Sequence, residues 1–162
     1  MTDLERCYVA AMRILHYRFN SEGELRRKLR AKKFEQDVIE QTVGRLRSEK
    51  WLDDARFAAS FVRTKQQKRH GPRKIARELA AAGVDRESAQ RALSDNADPE
   101  RVREDLVALF RKRRRMLIRR HGQAYLTTDE GRRKLTAYLL NQGYDAALVQ
   151  SVLKENPVVD DQ

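Results

Sequence analysis

Basic side chains of this 162-residue chain are concentrated in three windows that contain no acidic residue. Residues 25–34 hold six lysines and arginines, residues 55–77 hold eight, and residues 106–128 hold seven. That leaves 14 basic residues against all 24 acidic ones, so the windows carry +21, the remainder carries −10, and the net charge is +11. Clustered cations of this kind favour a polyanionic partner, most often nucleic acid. The alternative is a set of solvated helix faces.

We predict that cations from all three windows contact this partner. A guanidinium or ammonium group gains most from a phosphate or carboxylate when no acid of its own segment competes for it. In chain order, the candidate contact residues are Arg26, Arg27, Arg30, Lys32, Lys33, Lys65, Lys68, Arg69, Arg73, Lys74, Arg77, Arg111, Lys112, Arg113, Arg114, Arg115, Arg119 and Arg120.

The residues that enzymes and metal sites need are scarce in this chain. Cys7 is the single cysteine, so an internal disulfide and a paired-thiolate metal site are both excluded. His16, His70 and His121 lack the spacing of metal ligands, and no phosphate-binding loop of the form Gly-x-x-x-x-Gly-Lys-Ser/Thr occurs. We therefore predict a protein that is not an enzyme and that uses neither a cofactor nor a metal.

A repeated apolar pattern predicts the elements that position the basic residues. Five apolar positions recur three times with steps of four, five, five and four residues, which suits two short helices joined by a tight turn. A third, leading helix precedes each pair. The three sets are Leu25, Leu29, Phe34, Ile39 and Val43, then Ile75, Leu79, Val84, Ala89 and Leu93, and then Leu135, Leu139, Tyr144, Val149 and Leu153.

The pattern predicts an all-α fold, an elongated tandem array of three three-helix repeats that resemble helix-turn-helix units. The repeats are expected at residues 1–50, 51–96 and 97–156, and residues 157–162 are expected to form a frayed acidic tail. Trp51, the only tryptophan, follows the first repeat. We expect its ring to pack between repeats rather than to stack on a nucleobase.

Helix starts are signalled by residues that cap the first backbone amides. Capping boxes are predicted at Thr2 with Glu5, at Ser21 with Glu24, and at Thr127 with Glu130. Pro72 and Pro99 suit the first helical position, and Asp98 caps the helix that Pro99 begins. The pair Asp53-Asp54 is interpreted as a helix cap and not as catalytic carboxylates.

Glycines predict how the middle helices of the second and third repeats end. Gly83 and Gly143 fit a left-handed residue directly after the helix, and Asp85 and Asp145 fit the cap of the next one. The first repeat has Lys33 at this position. Either Lys33 bears a left-handed penalty of roughly 1 kcal/mol, or the turn is wider and Asp37 is the cap.

Nothing in the sequence indicates a membrane or secreted protein. The chain has no apolar run of membrane-spanning length, and its first residues lack the basic and apolar segments of a secretion signal. We expect a cytoplasmic protein without a membrane association, and we expect it to be a monomer.

Four segments of the sequence form a recognisable set of motifs. They are SEGELRRKL at residues 21–29, WLDDARFA at residues 51–58 with Phe61-Val62, GPRKI at residues 71–75, and YLLNQGY at residues 138–144. In these motifs, which span nearly the whole chain, the sequence resembles the RecX family of bacterial recombination regulators. Lys33 in place of a turn glycine, and Trp51 in place of the family's frequent tyrosine, depart from the pattern.

The resemblance implies a function in DNA recombination, DNA repair and the SOS response. Members of the family dock in the groove of the RecA recombinase filament on single-stranded DNA. There they generally restrain its ATPase, strand-exchange and coprotease activities. The implied partners are therefore the RecA filament and single-stranded DNA, contacted within the filament or directly.

Two other functions remain open from the sequence. A direct DNA-binding protein could use helix-turn-helix units to read duplex DNA, but two of the three final helices carry few cations. A protein-interaction scaffold could carry its charge incidentally. Steeply salt-dependent binding to bare DNA would count against the scaffold.

Overall fold

The computed structural model describes residues 1–157, which form nine α-helices, one short 3-10 helix and no strand. The all-α prediction is thus confirmed, and residues 158–162 of the predicted tail lie outside the described residues. Over residues 1–157, no helix is both long and apolar enough to cross a bilayer. The helices are α1 (Asp3–Tyr17), α2 (Glu22–Ala31), α3 (Gln36–Ser48), α4 (Asp54–Gln67), α5 (Pro72–Ala81), α6 (Arg86–Asp95), α7 (Pro99–His121), the 3-10 helix η1 (Gln123–Thr127), α8 (Asp129–Asn141) and α9 (Ala146–Glu155).

Most predicted helix starts are confirmed by their capping hydrogen bonds. Thr2 and Ser21 each form the reciprocal capping box, with Glu5 and Glu24 respectively. The Asp53 carboxylate accepts from the Arg56 amide at 3.0 Å, so Asp53 and not Asp54 caps α4. These side chains satisfy amides that have no partner within their helix, which fixes where the helix begins.

The capping box predicted at Thr127 with Glu130 is wrong. Thr127 is the last residue of η1, and α8 is capped by Thr128, whose hydroxyl accepts from the Gly131 amide at 3.1 Å. The short 3-10 turn displaces the start of α8 by one residue. The Glu130 carboxylate instead lies 3.2 Å from Lys134 Nζ.

A residue with a left-handed backbone conformation lies in the turn after each of the helices α2, α5 and α8. The φ angles are +68° at Lys33, +74° at Gly83 and +92° at Gly143. Lys33 therefore bears the left-handed penalty. The alternative cap at Asp37 is wrong, because Glu35 occupies the N-cap position of α3 and makes no side-chain capping bond.

Two pairs of glycines allow close contact between the start of one helix and the turn after another. The start of α2 lies against the turn after α5, and the start of α5 lies against the turn after α8. A Cβ added at Gly23 would lie 2.6 Å from Gly83 Cα, and one added at Gly71 would lie 2.4 Å from the carbonyl carbon of Gly143. The Gly71 amide also donates to the Gln142 carbonyl at 2.7 Å. Backbones this close leave no room for a side chain, so both glycine pairs are required by packing.

Tertiary contacts group the chain into two compact units. The first contains Met1–Val62 and Arg77–Asn96, and the second contains Arg63–Ala76 and the chain from Ala97 onward. This grouping divides the predicted second repeat, residues 51–96, between the two units. The repeat boundaries therefore stay a prediction. The main core of the first unit is formed by Cys7, Ala11, Leu25, Leu29, Ile39, Val43, Leu46 and Leu52. That of the second is formed by Leu106, Phe110, Leu117, Leu126, Leu135, Leu139, Tyr144, Val149 and Val152.

The repeated apolar positions supply much of both cores. All fifteen are buried except Phe34, Ala89, Leu93 and Leu153, and these four are partly buried. Trp51 is not among the buried residues. Its side chain is 52% exposed and lines a groove beside α1, so it does not fill the interior position expected between repeats.

Candidate nucleic-acid interface

The cations of the first basic window are largely engaged within the first unit. Arg26 Nε lies 3.1 Å from Glu40 Oε1, and its Nη1 lies 3.3 Å from Glu22 Oε2. Arg27 donates to the Ala81 carbonyl at 3.3 Å, and Arg30 donates to the Gln36 side chain at 3.0 Å. Of the five candidates in this window, only Lys32 and Lys33 make no side-chain hydrogen bond or ion pair with another residue of the described chain.

Glu22 is the centre of this charge network. Its carboxylate accepts from Arg47 Nε at 2.6 Å and from Arg47 Nη2 at 2.7 Å, in addition to its pair with Arg26. These hydrogen bonds, above all those from Arg47, hold the pKa of Glu22 below its ordinary value. The network joins α2 to α3, so the charge of Arg26 serves the packing of these helices.

Acidic residues that are distant in sequence engage part of the second basic window. In the second unit, Arg73 Nη2 lies 2.5 Å from Asp145 Oδ1, and Arg69 Nε lies 3.4 Å from Asp105 Oδ1. The Arg69 carbonyl also accepts from the Tyr144 hydroxyl at 2.8 Å. Burial raises the pKa of Tyr144, which keeps this hydroxyl protonated as a donor.

The other candidates of this window are more varied. Lys74 Nζ is 3.5 Å from the Gln142 side chain, and Lys65 is partly buried and engaged within the protein. Lys68 and Arg77 are exposed. The second window therefore offers isolated cations and no continuous basic face.

The third basic window lies on α7, where two of its arginines face the protein. Arg113 is partly buried, and its guanidinium lies 4.7 Å from the centre of the Tyr138 ring. Its Nε is buried without a hydrogen-bond partner among residues 1–157. Arg114 is also partly buried and engaged. Both sit beside the face of α7 that carries the buried residues Phe110 and Leu117.

The opposite side of α7 carries exposed, unpaired cations. Arg111, Arg115 and Arg119 are spaced four residues apart, so they form one stripe about 12 Å long from the first Cα to the last. Lys112 lies beside the stripe, and Arg120 lies further round the helix. None of the five makes an ion pair within residues 1–157. We call Arg111, Lys112, Arg115 and Arg119 the α7 cationic face.

The structure thus divides the predicted contact residues by their availability. The α7 cationic face concentrates positive charge opposite a buried face, and it has no carboxylate of its own segment to neutralise it. Helical periodicity could have singled out these four residues, because positions 106, 110 and 117 mark the buried side. No local signal distinguishes Arg69 and Arg73, whose acidic partners lie 36 and 72 residues further along the chain.

Comparisons with known proteins establish the family. The family model described as "RecX, first three-helix domain" matches residues 7–46, and that described as "RecX, second three-helix domain" matches residues 53–93. A protein named Regulatory protein RecX, from Serratia proteamaculans, is 30% identical over an alignment that covers 90% of this chain and 94% of that protein. The chain belongs to the RecX family. The α7 cationic face lies outside both matched segments.

Other RecX proteins extend the likeness to the whole chain. The crystal structure of RecX from Lactobacillus salivarius is similar with a TM-score of 0.76 at 26% identity, and covers 97% of this chain and 98% of its own. The Regulatory protein RecX of Halalkalibacterium halodurans is 28% identical over 99% of this chain, which spans only 58% of that relative. The curated relatives therefore differ in length.

Proposed function

We propose that this chain binds the RecA recombinase filament on single-stranded DNA and restrains its ATPase, strand-exchange and coprotease activities. RecX relatives are named as regulatory proteins, which supports a regulatory role for this chain. The observation that carries the proposal is the α7 cationic face, four exposed cations without an internal partner. Such a face suits the phosphates of DNA held in a filament. We place this activity in the cytoplasm and assign it to a monomer.

Regulation requires that the chain bind one state of the filament more tightly than another, since equal affinity for both states shifts nothing. Contacts from several repeats would act together through a high effective concentration, so each contact can be modest. The role is that of a binding protein and not of an enzyme. Lys32, Lys33, Lys68 and Arg77 remain available for secondary contacts on filament protein or DNA.

Sequence-specific reading of duplex DNA is the weaker alternative. A helix-turn-helix protein would present its final helix to the major groove with free polar side chains. On α3, Arg45 is bound to Glu49 at 2.7 Å and Arg47 to Glu22 at 2.6 Å. On α6, Arg91 is bound to Glu87 at 3.1 Å. These pairs leave the final helices poorly equipped to contact bases.

Titration into RecA-dependent ATP hydrolysis on single-stranded DNA tests the proposal. We expect the wild-type chain to lower the hydrolysis rate, and the variant Arg111→Glu/Arg115→Glu/Arg119→Glu to require at least about tenfold more protein for the same effect, because it reverses three phosphate contacts. The matched control is Arg13→Glu/Arg86→Glu/Arg91→Glu, which reverses three exposed arginines outside the basic windows. No inhibition by wild type would refute the function, and equal inhibition by the α7 variant would refute the role of this face.

A further inference from the structure

An open groove lies along α1 in the first unit. Its volume is about 630 Å³, within the roughly 300–1,000 Å³ typical of binding sites. We call it the α1 groove, and its lining residues are Tyr8, Val9, Met12, Arg13, Leu15, His16, Tyr17 and Trp51. The buried residues of α1, Cys7 and Ala11, belong to the core of the first unit. The helix thus contributes one set of residues to the core and another to the groove.

The turn after α3 holds Trp51 at the surface. Lys50 has a φ of +63°, a left-handed conformation that a lysine adopts only at an energetic cost. The Trp51 amide donates to the Leu46 carbonyl at 2.9 Å, and the next side chain, Leu52, is buried in the core. Because Leu52 takes the interior position, the ring of Trp51 stays half-exposed in the groove.

Tyr8 forms a fixed part of the groove wall. Its hydroxyl donates to the Glu49 carboxylate at 2.5 Å, and the Arg45 guanidinium lies 4.1 Å from the centre of its ring. Arg45 and Glu49 are themselves paired at 2.7 Å. These two charges neutralise each other, so the charge that the groove offers to an occupant comes from its own lining residues.

The lining residues are apolar, aromatic and basic. Neither an aspartate nor a glutamate lines the groove among the described residues. Arg13 is exposed and forms no ion pair within residues 1–157, and the imidazole of His16 is also exposed. An occupant therefore gains from a carboxylate near Arg13, and from bulky apolar side chains packed against Met12 and Trp51.

We propose that the α1 groove binds a short acidic and apolar segment of a protein other than RecA. Tyr8 and Tyr17 are nine residues apart on α1, which is about 14 Å along the helix axis. An extended chain covers this distance with about four residues, so a short linear segment is sufficient. The proposal goes beyond the proposed function, because it gives the first unit a second partner on a surface separate from the α7 cationic face.

The residue types of the groove favour a protein segment over other ligands. Tyrosine, tryptophan, methionine and arginine are enriched at protein–protein interfaces, and an exposed apolar patch bordered by polar residues is typical of such a site. Single-stranded nucleic acid needs a continuous cationic track, which Arg13 and His16 alone do not provide. An anionic lipid surface is met by protruding apolar side chains beside many cations, whereas this site is concave.

Calorimetric titration of the full chain with the peptide GDEFDELFG tests the site. We expect binding with one peptide per chain. Trp51 is the only tryptophan and the peptide contains none, so its emission should shift to shorter wavelength and its quenching by iodide should fall as the peptide covers the ring. The peptides GDESDESSG, which lacks the apolar side chains, and GKKFKKLFG, which reverses the charge, should each bind at least about tenfold more weakly.

Variants of the groove should weaken binding of GDEFDELFG selectively. Trp51→Ala and Arg13→Glu should each weaken it at least about tenfold, whereas Arg13→Lys keeps the charge and should weaken it less than about threefold. Matched controls are Phe19→Ala, which removes an exposed aromatic ring that does not line the groove, and Arg111→Glu on α7. Both should leave the affinity unchanged. Thermal melting of each variant reports whether the first unit remains folded.

Several results would overturn the inference. They are the absence of binding to GDEFDELFG, equal binding of the charge-reversed peptide, an equal loss in Phe19→Ala, and self-association of the chain that Trp51→Ala abolishes, which would assign the groove to a second copy. Loss of the inhibition of RecA-dependent hydrolysis in a folded Trp51→Ala variant would assign it to RecA. Peptide binding by a wild-type chain that fails to inhibit hydrolysis would refute the proposed function alone, so the two failures are distinguishable.

Discussion

Helices α2 and α7 carry basic windows that look equivalent in sequence and differ in the folded chain. On α2, Arg26 is surrounded by the carboxylates of Glu22 and Glu40 from its own helix and from α3. On α7, the nearest charged neighbours of Arg115 along the helix are further cations. A binding surface therefore depends less on the number of cations than on whether neighbouring helices bring carboxylates within about 4 Å of them.

The difference has a physical origin in how each helix is packed. α2 is short and lies against α3 and the end of α5 within the first unit, so its arginines reach acceptors on both. α7 has 23 residues and buries one side, while Arg111, Arg115 and Arg119 on its opposite side form no ion pair among the described residues. Ion pairs and hydrogen bonds to carbonyl groups give the α2 arginines a structural role. The cations of the α7 cationic face form no such bonds, so they are available to a ligand.

The largest expected effect comes from removing three arginines from each helix in parallel. Arg111→Ala/Arg115→Ala/Arg119→Ala should lower the affinity for single-stranded oligothymidylate about a hundredfold at low salt and flatten the salt slope by about 2, since three phosphate contacts are lost. Arg26→Ala/Arg27→Ala/Arg30→Ala should lower it less than about threefold. Salt titrations of both variants measure the two slopes. Equal losses would mean that α2 and α7 contribute alike.

A smaller effect is expected from breaking the network that neutralises α2. Glu22→Gln removes the carboxylate shared by Arg26 and Arg47, and should lower the free energy of unfolding by about 1–2 kcal/mol, as measured in urea. The matched control is Glu87→Gln, which removes an exposed partner of Arg91 and should cost less than about 0.5 kcal/mol.

The pH dependence of Glu22→Gln follows from the lowered pKa of Glu22. A carboxylate whose pKa is depressed in the folded state contributes its full stability at pH values above its ordinary pKa, which is 4.5 for Glu22. This contribution is lost as the pH falls through the folded-state pKa. Wild type should therefore lose stability more steeply than Glu22→Gln below about pH 4.5. Parallel curves over this range would mean that Glu22 has the same proton affinity in the folded and unfolded chain.

The smallest effect is expected at the end of α2, where Lys33 has a left-handed backbone. Lys33→Gly should raise the free energy of unfolding by about 0.5–1 kcal/mol, because relief of the positive φ outweighs the added freedom of the unfolded chain. The variant also tests whether Lys33 contributes to binding. A stabilised protein with unchanged affinity for oligothymidylate would leave this cation outside the interface, whereas destabilisation would contradict the strain argument.

Local sequence signals predicted the helices and most of their ends. The spacing of residues such as Leu25 and Leu29 needs only helical periodicity, and caps such as Ser21 and Asp98 act within three residues of their own position. The 3-10 helix η1 was missed because five residues are too short to show a period. That omission displaced the predicted cap from Thr128 to Thr127.

The candidate site could be predicted only in outline. Acid-free windows located α7 as basic, but the partners of Arg73 and Arg113 are Asp145 and Tyr138, which lie far away in sequence and meet them through folding alone. Which cations contact filament or DNA remains a prediction.

The two glycine pairs set a rule for how such a chain can gain or lose modules. A duplicated repeat fits at the Gly23–Gly83 or Gly71–Gly143 joint only if it brings one glycine at the start of its middle helix and another at the turn that ends it. Lys33 has a positive φ at the equivalent turn and carries a Cβ there, so a unit joined at this turn in the same way would require a glycine in place of Lys33.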